Sequence, residues 1–335
     1  LLSIVAFSAF FANAQVIPFN AGNAREGESV EYCRQHTMQE HALANDAQYR
    51  AAFSAGQAQL ERENGTSTAA KSGTVYFVPV VFHVLHTNGE ENISDEQIRD
   101  AVDVLNRDFR KLNADANNVL PMFQGIVADA EIQFRLATKA PNGTCFNGIT
   151  RTVSTQTNGS DGTQQMNAAF NGNNVYQGQW SHTNYLNIIV ARNIGGAAGY
   201  TYLPSNGGVR YNSIFMLQEY VGRIGTGSEY RSRSLTHEVG HWLNLKHTWG
   251  DGNDPGSMSN CNMDDGVTDT PNTVGVQSCN LNEASCGPIA NVENYMDYSY
   301  CSKMFTAGQV SRMRTAITST VGGRNNLWSA SNLAN

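Results

Sequence analysis

The chain has 335 residues, of which 40% are hydrophobic and 15% are charged, and its net charge is −7 at pH 7. An average soluble domain has about 25% charged residues, so the composition excludes a disordered, highly charged tail protein. Lysine and arginine form no dense cluster, which argues against nucleic-acid binding through a basic surface. The length allows one large domain or two modest ones.

The start of the chain has the composition of an export signal. Residues 1–12 are almost entirely apolar, and the Ala-Asn-Ala triplet at 12–14 has the small residues of a cleavage site. This pattern predicts a secretory signal peptide over residues 1–14. The apolar run is shorter than the roughly 20 residues that cross a bilayer. We therefore expect a secreted, extracellular protein with no membrane span in its mature form, in which disulfides can form.

The next segment differs from the rest of the chain. Residues 15–70 are polar and alanine-rich, with one or two helices predicted between Glu31 and Arg62 and a linker at Asn64–Gly73. A β-branched and aromatic strand then begins at Thr74. The change indicates a propeptide and linker over 15–70, followed by one folded domain over 71–335.

Two helices are predicted in this domain from their caps and their apolar faces. Ser94 with Gln97, and Thr306 with Gln309, have the spacing of a capping box. Apolar residues then recur at helical spacing. They are Ile98, Ala101, Val102, Leu105, Phe109 and Leu112 in the first helix, and Val310, Met313 and Ile317 in the second.

Three further strands and one long loop are predicted between these helices. Apolar, β-branched runs predict strands at 132–136, 185–190 and 213–217. Residues 141–178 are rich in Asn, Gly, Thr and Gln, which predicts an extended loop.

The strongest motif is SLTHEVGHWLNLKH at residues 234–247. His237 and His241 are four residues apart, so a helix places both imidazoles on one face. Two imidazoles on one face suit Zn²⁺, which prefers nitrogen ligands in tetrahedral geometry. Zinc lowers the pKa of bound water from about 15.7 to about 7. Glu238 lies between the histidines and can take a proton from such a water during attack on a carbonyl.

His247 lies six residues after His241 and is a candidate third ligand. A continuous helix would rotate it by about 240°, away from the metal-binding face. Asn244 stands where a sharp turn could return it, and asparagine readily adopts the left-handed conformation. An amphipathic helix with incidental histidines is the alternative. The third histidine and the turn residue favour one catalytic zinc ion.

With these histidines the segment resembles the metzincin metalloproteases, whose motif is HExxHxxGxxH, although Asn244 replaces the glycine. Downstream, Asn294–Ser299 (NYMDYS) is similar to the methionine turn that metzincins have beneath the zinc. Together, HEVGHWLNLKHTW and ENYMDYS resemble most closely the pappalysin family and its shorter, ulilysin-like bacterial members. The resemblance extends over roughly Val75–Trp328.

The resemblance implies an α+β metzincin fold. An α/β upper subdomain would hold a mixed twisted sheet, a backing helix and the active-site helix. A loop-rich lower subdomain with a C-terminal helix would follow.

The resemblance also implies a role for each residue of the motifs. Glu238 would act as general base and then as the acid that protonates the leaving amine. Met296 would lie under the zinc ligands as a hydrophobic base, or be an ordinary core methionine. Tyr298 would stabilise the oxyanion or swing as a switch, or simply pack. The implied zinc ligands are His237, His241 and His247.

Four of the six cysteines lie within residues 261–301. Four cysteines allow three pairings, among which the sequence does not choose. The resemblance implies the pairs Cys261–Cys286 and Cys279–Cys301, which would constrain a region with few strand or helix signals.

Cys33 lies in the predicted propeptide. Its thiolate could occupy the fourth position on zinc and exclude water, so we predict a latency switch in which the propeptide inhibits its own enzyme. We expect activating cleavage between Arg50 and Lys71. The alternatives for Cys33 are a disulfide with Cys145 or an inert thiol.

The loop Met263–Pro271 contains three carboxylates, which suit Ca²⁺. The resemblance also implies structural calcium here, and the alternative is a solvated acidic turn. The candidate ligands are Asp264, Asp265, Val267 and Asp269.

These features predict a secreted zinc endopeptidase made as a zymogen, which hydrolyses protein or peptide substrates. We expect the substrate to add as a strand along an edge strand at 213–217. Some relatives prefer a basic residue after the scissile bond. Here Asp297 is the only acid of the loop after Met296, and Lys303 opposes it.

Two alternatives remain. The first is a secreted binding module with a structural zinc and no catalysis. A structural zinc normally has four protein ligands, whereas three histidines and an intact Glu238 favour an open site. The second is a zinc hydrolase that does not cleave peptides, which the methionine turn disfavours.

Overall fold

The computed structural model of the protein describes residues 20–66, 73–172, 176 and 179–334. The predicted signal peptide lies outside these residues, as does most of the predicted linker. Across the described ranges, no helix combines the length and the apolar character that crossing a bilayer requires.

One mixed sheet forms the centre of the described structure. Its strand order is β1-β6-β7-β5-β2-β3, and β4 pairs with the second half of β2. Every pairing is parallel except that of β6 with β7. The strands are β1 (Glu31–Cys33), β2 (Tyr76–His86), β3 (Ile132–Leu136), β4 (Ile149–Val153), β5 (Leu186–Ala191), β6 (Ala197–Tyr200) and β7 (Ile214–Leu217).

Helices precede, follow and separate these strands. The α-helices of the described residues are α1 (Gln35–Asn45), α2 (Ala47–Thr66), α3 (Asp95–Phe109), α4 (Gly162–Asn171), α5 (Ser234–Trp242), α6 (Ala307–Thr318), α7 (Arg324–Leu327) and α8 (Ala330–Ala334). The hydroxyl of Ser94 caps α3, and Thr306 and Gln309 form a complete capping box on α6. The predicted capping box is confirmed on α6, whereas α3 has only the Ser94 half of it, because the side chain of Gln97 donates instead to Gln218, Val221 and Thr226.

Helices α3 and α4 cover opposite faces of the sheet. Phe109 of α3 contacts Phe134 of β3, which is in register with Val78 of β2. Phe170 of α4 contacts His83 of β2. Val78 and His83 are five residues apart, and successive side chains of a strand point to opposite faces. The predicted α+β fold with a helix behind the sheet is confirmed.

The N-terminal segment, residues 20–66, lies against the rest of the molecule. Strand β1 pairs with β6 through Glu31 and Cys33. Helix α2 packs on α6, where Glu61 forms an ion pair with Arg312 and Leu60 contributes to an apolar cluster. The segment therefore covers both the β6 edge of the sheet and the C-terminal helix.

Three predictions about these elements are wrong. Residues 141–178 are not one loop, because they contain β4 and α4, and Asp161 caps α4 through Thr163 and Gln164. The strand at 213–217 is not an edge strand, because β7 lies between β5 and β6. Leu112 is 69% exposed because α3 ends at Phe109.

The region between α5 and α6 contains neither strands nor α-helices. Two disulfides, Cys261–Cys286 and Cys279–Cys301, join its loops, with sequence separations of 25 and 22 residues. These are the pairs that the resemblance implies. They constrain loops that lack a ladder of backbone hydrogen bonds, in accord with the loop-rich lower region expected from the sequence.

Candidate active site

Helix α5 and the turn after it bring three imidazoles together. His241 Nε2 lies 3.1 Å from His237 Nε2 and 3.2 Å from His247 Nε2. Asn244 has a φ of 72°, so the predicted left-handed turn is confirmed. The helix ends there, and the chain returns His247 to the face that carries the other two histidines.

The outer nitrogen of each imidazole contacts a backbone carbonyl oxygen. The Nδ1 distances are 2.7 Å from His237 to Tyr295, 2.8 Å from His241 to Leu245 and 3.2 Å from His247 to Gly252. Because a carbonyl only accepts, each Nδ1 is assigned the proton and each Nε2 keeps a lone pair. Burial lowers the pKa of all three imidazoles, that of His241 to about 4, which favours the neutral, ligating form.

The spacing of these nitrogens fits zinc. Zn–N bonds of about 2.0–2.1 Å in a tetrahedral site place two ligand nitrogens roughly 3.3 Å apart. The Nε2 separations from His241, 3.1 and 3.2 Å, are close to this value. Three neutral imidazoles with converging lone pairs are therefore ready to bind a zinc ion.

Cys33 completes the cluster from the N-terminal segment. Its Sγ and one nitrogen from each of the three histidines all lie within 4.8 Å of one another. Parallel pairing of Cys33 with Gly199 on β6 holds the thiol there. Burial and the nearby Glu238 raise the pKa of this thiol, whereas a bound cation would favour the thiolate. The alternative Cys33–Cys145 disulfide is wrong, because both cysteines are free and Cys145 is exposed.

Glu238 is fully buried beside this cluster. Neither of its carboxylate oxygens accepts from an N–H or O–H group among the described residues, and the thiol of Cys33 faces them. Burial raises the pKa of Glu238 to about 8. A Cβ on Gly199 would lie 2.8 Å from Glu238 Cγ, so the glycine leaves room for the carboxylate beside β6. An unpaired buried carboxylate is costly, which is typical of a group that acts on a ligand.

The methionine turn lies directly beneath α5. Met296 is fully buried, and its sulfur is so close to Gly240 that a Cβ there would overlap it. The turn is tied to α3, because the buried carboxylate of Asp108 accepts hydrogen bonds from Tyr295 and from Thr236 of α5. Burial raises the pKa of Asp108 to about 6. This network fixes the turn and the histidine helix against the sheet.

Tyr298 lies between the histidines and the N-terminal segment. Its hydroxyl is 3.0 Å from the carbonyl oxygen of Cys33 and 2.5 Å from Oδ1 of Asn253, and donates to one of them. The ring packs against His237 and His247, with centroids 5.7 and 5.0 Å away. The structure therefore places Tyr298 at the metal cluster, held by a group that belongs to the N-terminal segment.

Asp297, by contrast, does not face the cluster. Its buried carboxylate accepts hydrogen bonds from Thr248 Oγ1 and from the backbone N–H groups of Val276, Tyr298 and Ser299. Lys303 pairs with Glu293 rather than with Asp297. Asp297 therefore organises the loops and is not free to bind a basic substrate side chain.

The carboxylates of the predicted calcium loop have other partners. Asp265 accepts from Val267 N and Thr270 Oγ1, and Asp269 accepts from Thr306 Oγ1 and Gly308 N. The loop supplies no cluster of three metal-ligating side chains, and the Cys33 and histidine group is the one such cluster in the described ranges. Calcium binding here stays a prediction.

Several site residues were missed by the sequence analysis. Gly199 and Gly240 matter because a side chain would collide with Glu238 or with Met296. Asp108 and Asn253 act through contacts that are distant in sequence. The polar Asp108 within the apolar face of α3 was a usable signal, whereas nothing local marked the other three.

Three converging imidazoles on a helix and a turn, a buried glutamate between them and a methionine turn beneath are the features of a zinc metalloprotease of the metzincin type. The profile described as pregnancy-associated plasma protein-A, Peptidase M43, matches residues 169–318. Extracellular metalloprotease 1 of Coccidioides posadasii (strain C735) is 30% identical over 253 residues, covering 70% of this chain and 75% of that protein. The chain therefore belongs to this family, the pappalysins, and is an extracellular metalloendopeptidase.

Solved structures agree with this assignment. A promirolysin mutant from Tannerella forsythia matches with a TM-score of 0.73 and 32% identity, over 89% of this chain and 97% of that one. Mature mirolysin in complex with a cleaved peptide, from the same organism, matches with a TM-score of 0.68 and 36% identity, over 79% and 99%. The metzincin fold implied by the sequence is confirmed.

Proposed function

We propose that this protein is a secreted zymogen in which residues 15–70 form an inhibitory propeptide and residues 71–335 form the catalytic domain. Glu238 is the general base for peptide hydrolysis, and zinc is held by His237, His241 and His247. The observation that carries the proposal is the convergence of three Nε2 lone pairs beside a buried carboxylate that accepts from no N–H or O–H group of the described residues.

Each residue of the site has a distinct part in the reaction. Zinc, when bound, polarises the scissile carbonyl and acidifies water. Glu238 accepts the proton of the attacking water and then donates it to the leaving amine nitrogen. Tyr298, released from Cys33, turns its hydroxyl toward the developing oxyanion. Met296 makes no bond to the metal and supports the histidines from below.

The substrate pairs with the free edge of β6. In the described structure β1 pairs with this edge, and the register places Cys33 opposite Gly199, next to Glu238. A peptide that adds to the same edge gains main-chain hydrogen bonds and passes over the catalytic carboxylate. Strand β6 therefore replaces residues 213–217 as the substrate-binding strand.

We attribute the latency of the zymogen to the same pairing of β1 with β6, which holds Cys33 at the histidines. With Cys33 the cluster has four protein ligands, so no position is left for water or substrate. The match to promirolysin covers 89% of this chain against 79% for mature mirolysin, which supports a propeptide at the N-terminus. A closed four-ligand site is also what the alternative, a binding module with structural zinc, would have. Removal of the N-terminal segment distinguishes the two, since only the zymogen gains activity.

Metal removal tests the proposed function. We expect dipicolinate to abolish cleavage of a protein substrate by the processed enzyme, and about one equivalent of Zn²⁺ to restore it. The reason is that carbonyl polarisation and water activation both need the ion. Calcium added alone serves as the control and should not restore cleavage. Activity that persists in a metal-free sample would contradict the proposal.

Calcium binding by the loop Met263–Pro271 is a separate proposal. Asp265 is 3% exposed and has no cationic partner among the described residues, and burial raises its pKa to about 7. A bound cation would stabilise its ionised form. With zinc saturating, Ca²⁺ at 100 times its dissociation constant should stabilise the fold by about 2.7 kcal/mol, or roughly 5–10 °C in Tm.

Calorimetry with and without Ca²⁺ measures this shift, with Mg²⁺ as the matched control. The Asp265→Asn variant should lose most of the Ca²⁺-dependent increase. An unchanged Tm on addition of Ca²⁺ to the unaltered chain would show that the loop is a solvated acidic turn.

A further inference from the structure

The side chain of Tyr32, the residue before Cys33, lies in a pocket beside the metal cluster. Its ring is 2% exposed, and its centroid lies 5.1 Å from that of His237 and 5.1 Å from that of Tyr298. Both contacts have edge-to-face geometry, which is favourable for aromatic rings. Since these two residues are a zinc ligand and the methionine-turn tyrosine, the pocket adjoins the position of the scissile bond.

The pocket contains one buried hydroxyl. Ser234, the first residue of α5, is 1% exposed, and its hydroxyl lies against the phenol of Tyr32, with no other polar partner among the described residues. Once Tyr32 leaves, this buried hydroxyl has no partner, which is unfavourable. The pocket therefore suits a ligand that carries a polar atom at the end of an aromatic ring.

The positively charged side chain next to this pocket is Arg25, which belongs to the N-terminal segment itself. The guanidinium of Arg25 lies 4.3 Å from the ring centroid of Tyr32 and 4.4 Å from that of Tyr230, and donates to the Tyr230 carbonyl. Arg25 and Tyr32 both leave with the segment. The walls that remain include the rings of His237 and Tyr298 and the hydroxyl of Ser234, and the catalytic Glu238 lies nearby.

Apart from the catalytic Glu238, the acids near this pocket have partners or lie outside it. Asp297 is occupied by hydrogen bonds to the backbone and to Thr248. A cavity of about 240 Å³ lies next to Arg25, and without Arg25 its charged lining is two acids and two cations. One of these acids, Asp115, pairs with Arg233. Lys303 pairs with Glu293, so Glu229 is the acid that remains, and it lines this cavity, whose lining does not include Tyr32.

We propose that, after removal of the N-terminal segment, the pocket vacated by Tyr32 binds an aromatic side chain of the substrate residue that flanks the scissile bond, with tyrosine preferred over phenylalanine. This inference rests on the proposed function. The main chain of β1 occupies the edge of β6 to which the substrate adds, so the side chain next to Cys33 marks a substrate pocket. An aromatic ring regains the contacts with His237 and Tyr298.

The test is a peptide library presented to the enzyme obtained by processing of the full chain. We expect tyrosine and phenylalanine to be enriched at one of the two positions that flank the cleaved bond. Because a hydrogen bond contributes about 0.5–1.5 kcal/mol, kcat/KM for tyrosine should exceed that for phenylalanine by about two- to thirteenfold. Enrichment of arginine and lysine, or no aromatic enrichment at either position, would overturn the inference.

A variant separates the role of the pocket from general damage. Ser234→Ala should lower cleavage at tyrosine more than at phenylalanine, so that the ratio of their kcat/KM values approaches one. Ser331→Ala, on exposed α8, is the matched control and should keep the original ratio. A ratio unaffected by Ser234→Ala would contradict the assigned pocket. If no peptide is cleaved at all, the proposed function fails, whereas cleavage without aromatic preference refutes only this inference.

Discussion

Replacement of Glu238 by alanine is expected to lower kcat/KM for peptide hydrolysis by at least about 10²–10⁴-fold, the range attributed to a positioned general base. The carboxylate lies beside the three imidazoles, and neither of its oxygens is committed to an N–H or O–H donor among the described residues, so it is free to accept the proton of an attacking water. The histidines keep their own hydrogen bonds to backbone carbonyls. Zinc binding should therefore remain at one ion per chain.

The experiment needs two measurements on the same sample. Metal content by elemental analysis establishes that the site is loaded, and peptide cleavage after processing with an added protease reports activity. Glu238→Gln keeps the volume of the side chain but not its basicity, and should be as inactive as the alanine variant. Glu90→Ala, on an exposed loop, should behave as the unaltered enzyme. Substantial activity in Glu238→Ala with zinc bound would refute the assigned mechanism.

The zinc-binding motif could be predicted because its geometry is local. His237 and His241 share a helical face, and only a left-handed residue at Asn244 can return His247 to it. The same holds for the caps of α3 and α6, each defined by residues three apart. Local spacing and backbone chemistry determine these features, so their prediction does not require knowledge of distant parts of the chain.

The edge of the sheet could not be predicted, because strand order depends on contacts between distant segments. Strand β6, Ala197–Tyr200, follows two glycines and has no branched side chain, so its sequence carries little strand signal. Residues 214–217 have a stronger signal because β7 is buried between two neighbours. The stronger strand sequence thus belongs to the interior of the sheet, and the edge that we propose to bind substrate has the weaker pattern.

The contacts of the N-terminal segment could not be predicted either, because they too join distant parts of the chain. Its composition indicated a propeptide, and Cys33 was a candidate ligand because thiolates bind zinc. The sequence did not show that β1 would pair with β6, that Tyr32 would fill a pocket at His237 or that Tyr298 would bond the Cys33 carbonyl. Each of these contacts joins residues more than 160 positions apart. The structure therefore shows how the segment covers the histidine cluster, whereas the prediction named only one residue.

Replacement of Cys33 by alanine is expected to give the uncleaved chain a measurable activity, at least about tenfold above that of the unaltered zymogen, which corresponds to 1.4 kcal/mol. Loss of the thiol removes the fourth ligand and opens a position for water. The inhibition is only partly relieved, because β1 still pairs with β6 and Tyr32 still fills its pocket. Full activity should appear only after cleavage, which itself should become faster.

The measurement follows peptide hydrolysis and chain length together, so that activity of the intact chain is separated from that of processed enzyme. Cys145→Ala is the matched control, since Cys145 is also a free cysteine but is exposed and is not part of the histidine cluster. It should leave latency and the rate of activation unchanged. An equally latent Cys33→Ala chain would show that the pairing of β1 with β6, rather than the thiol, blocks the site. A Cys33→Ala chain that stays inactive even after the segment is removed would favour a structural role for zinc.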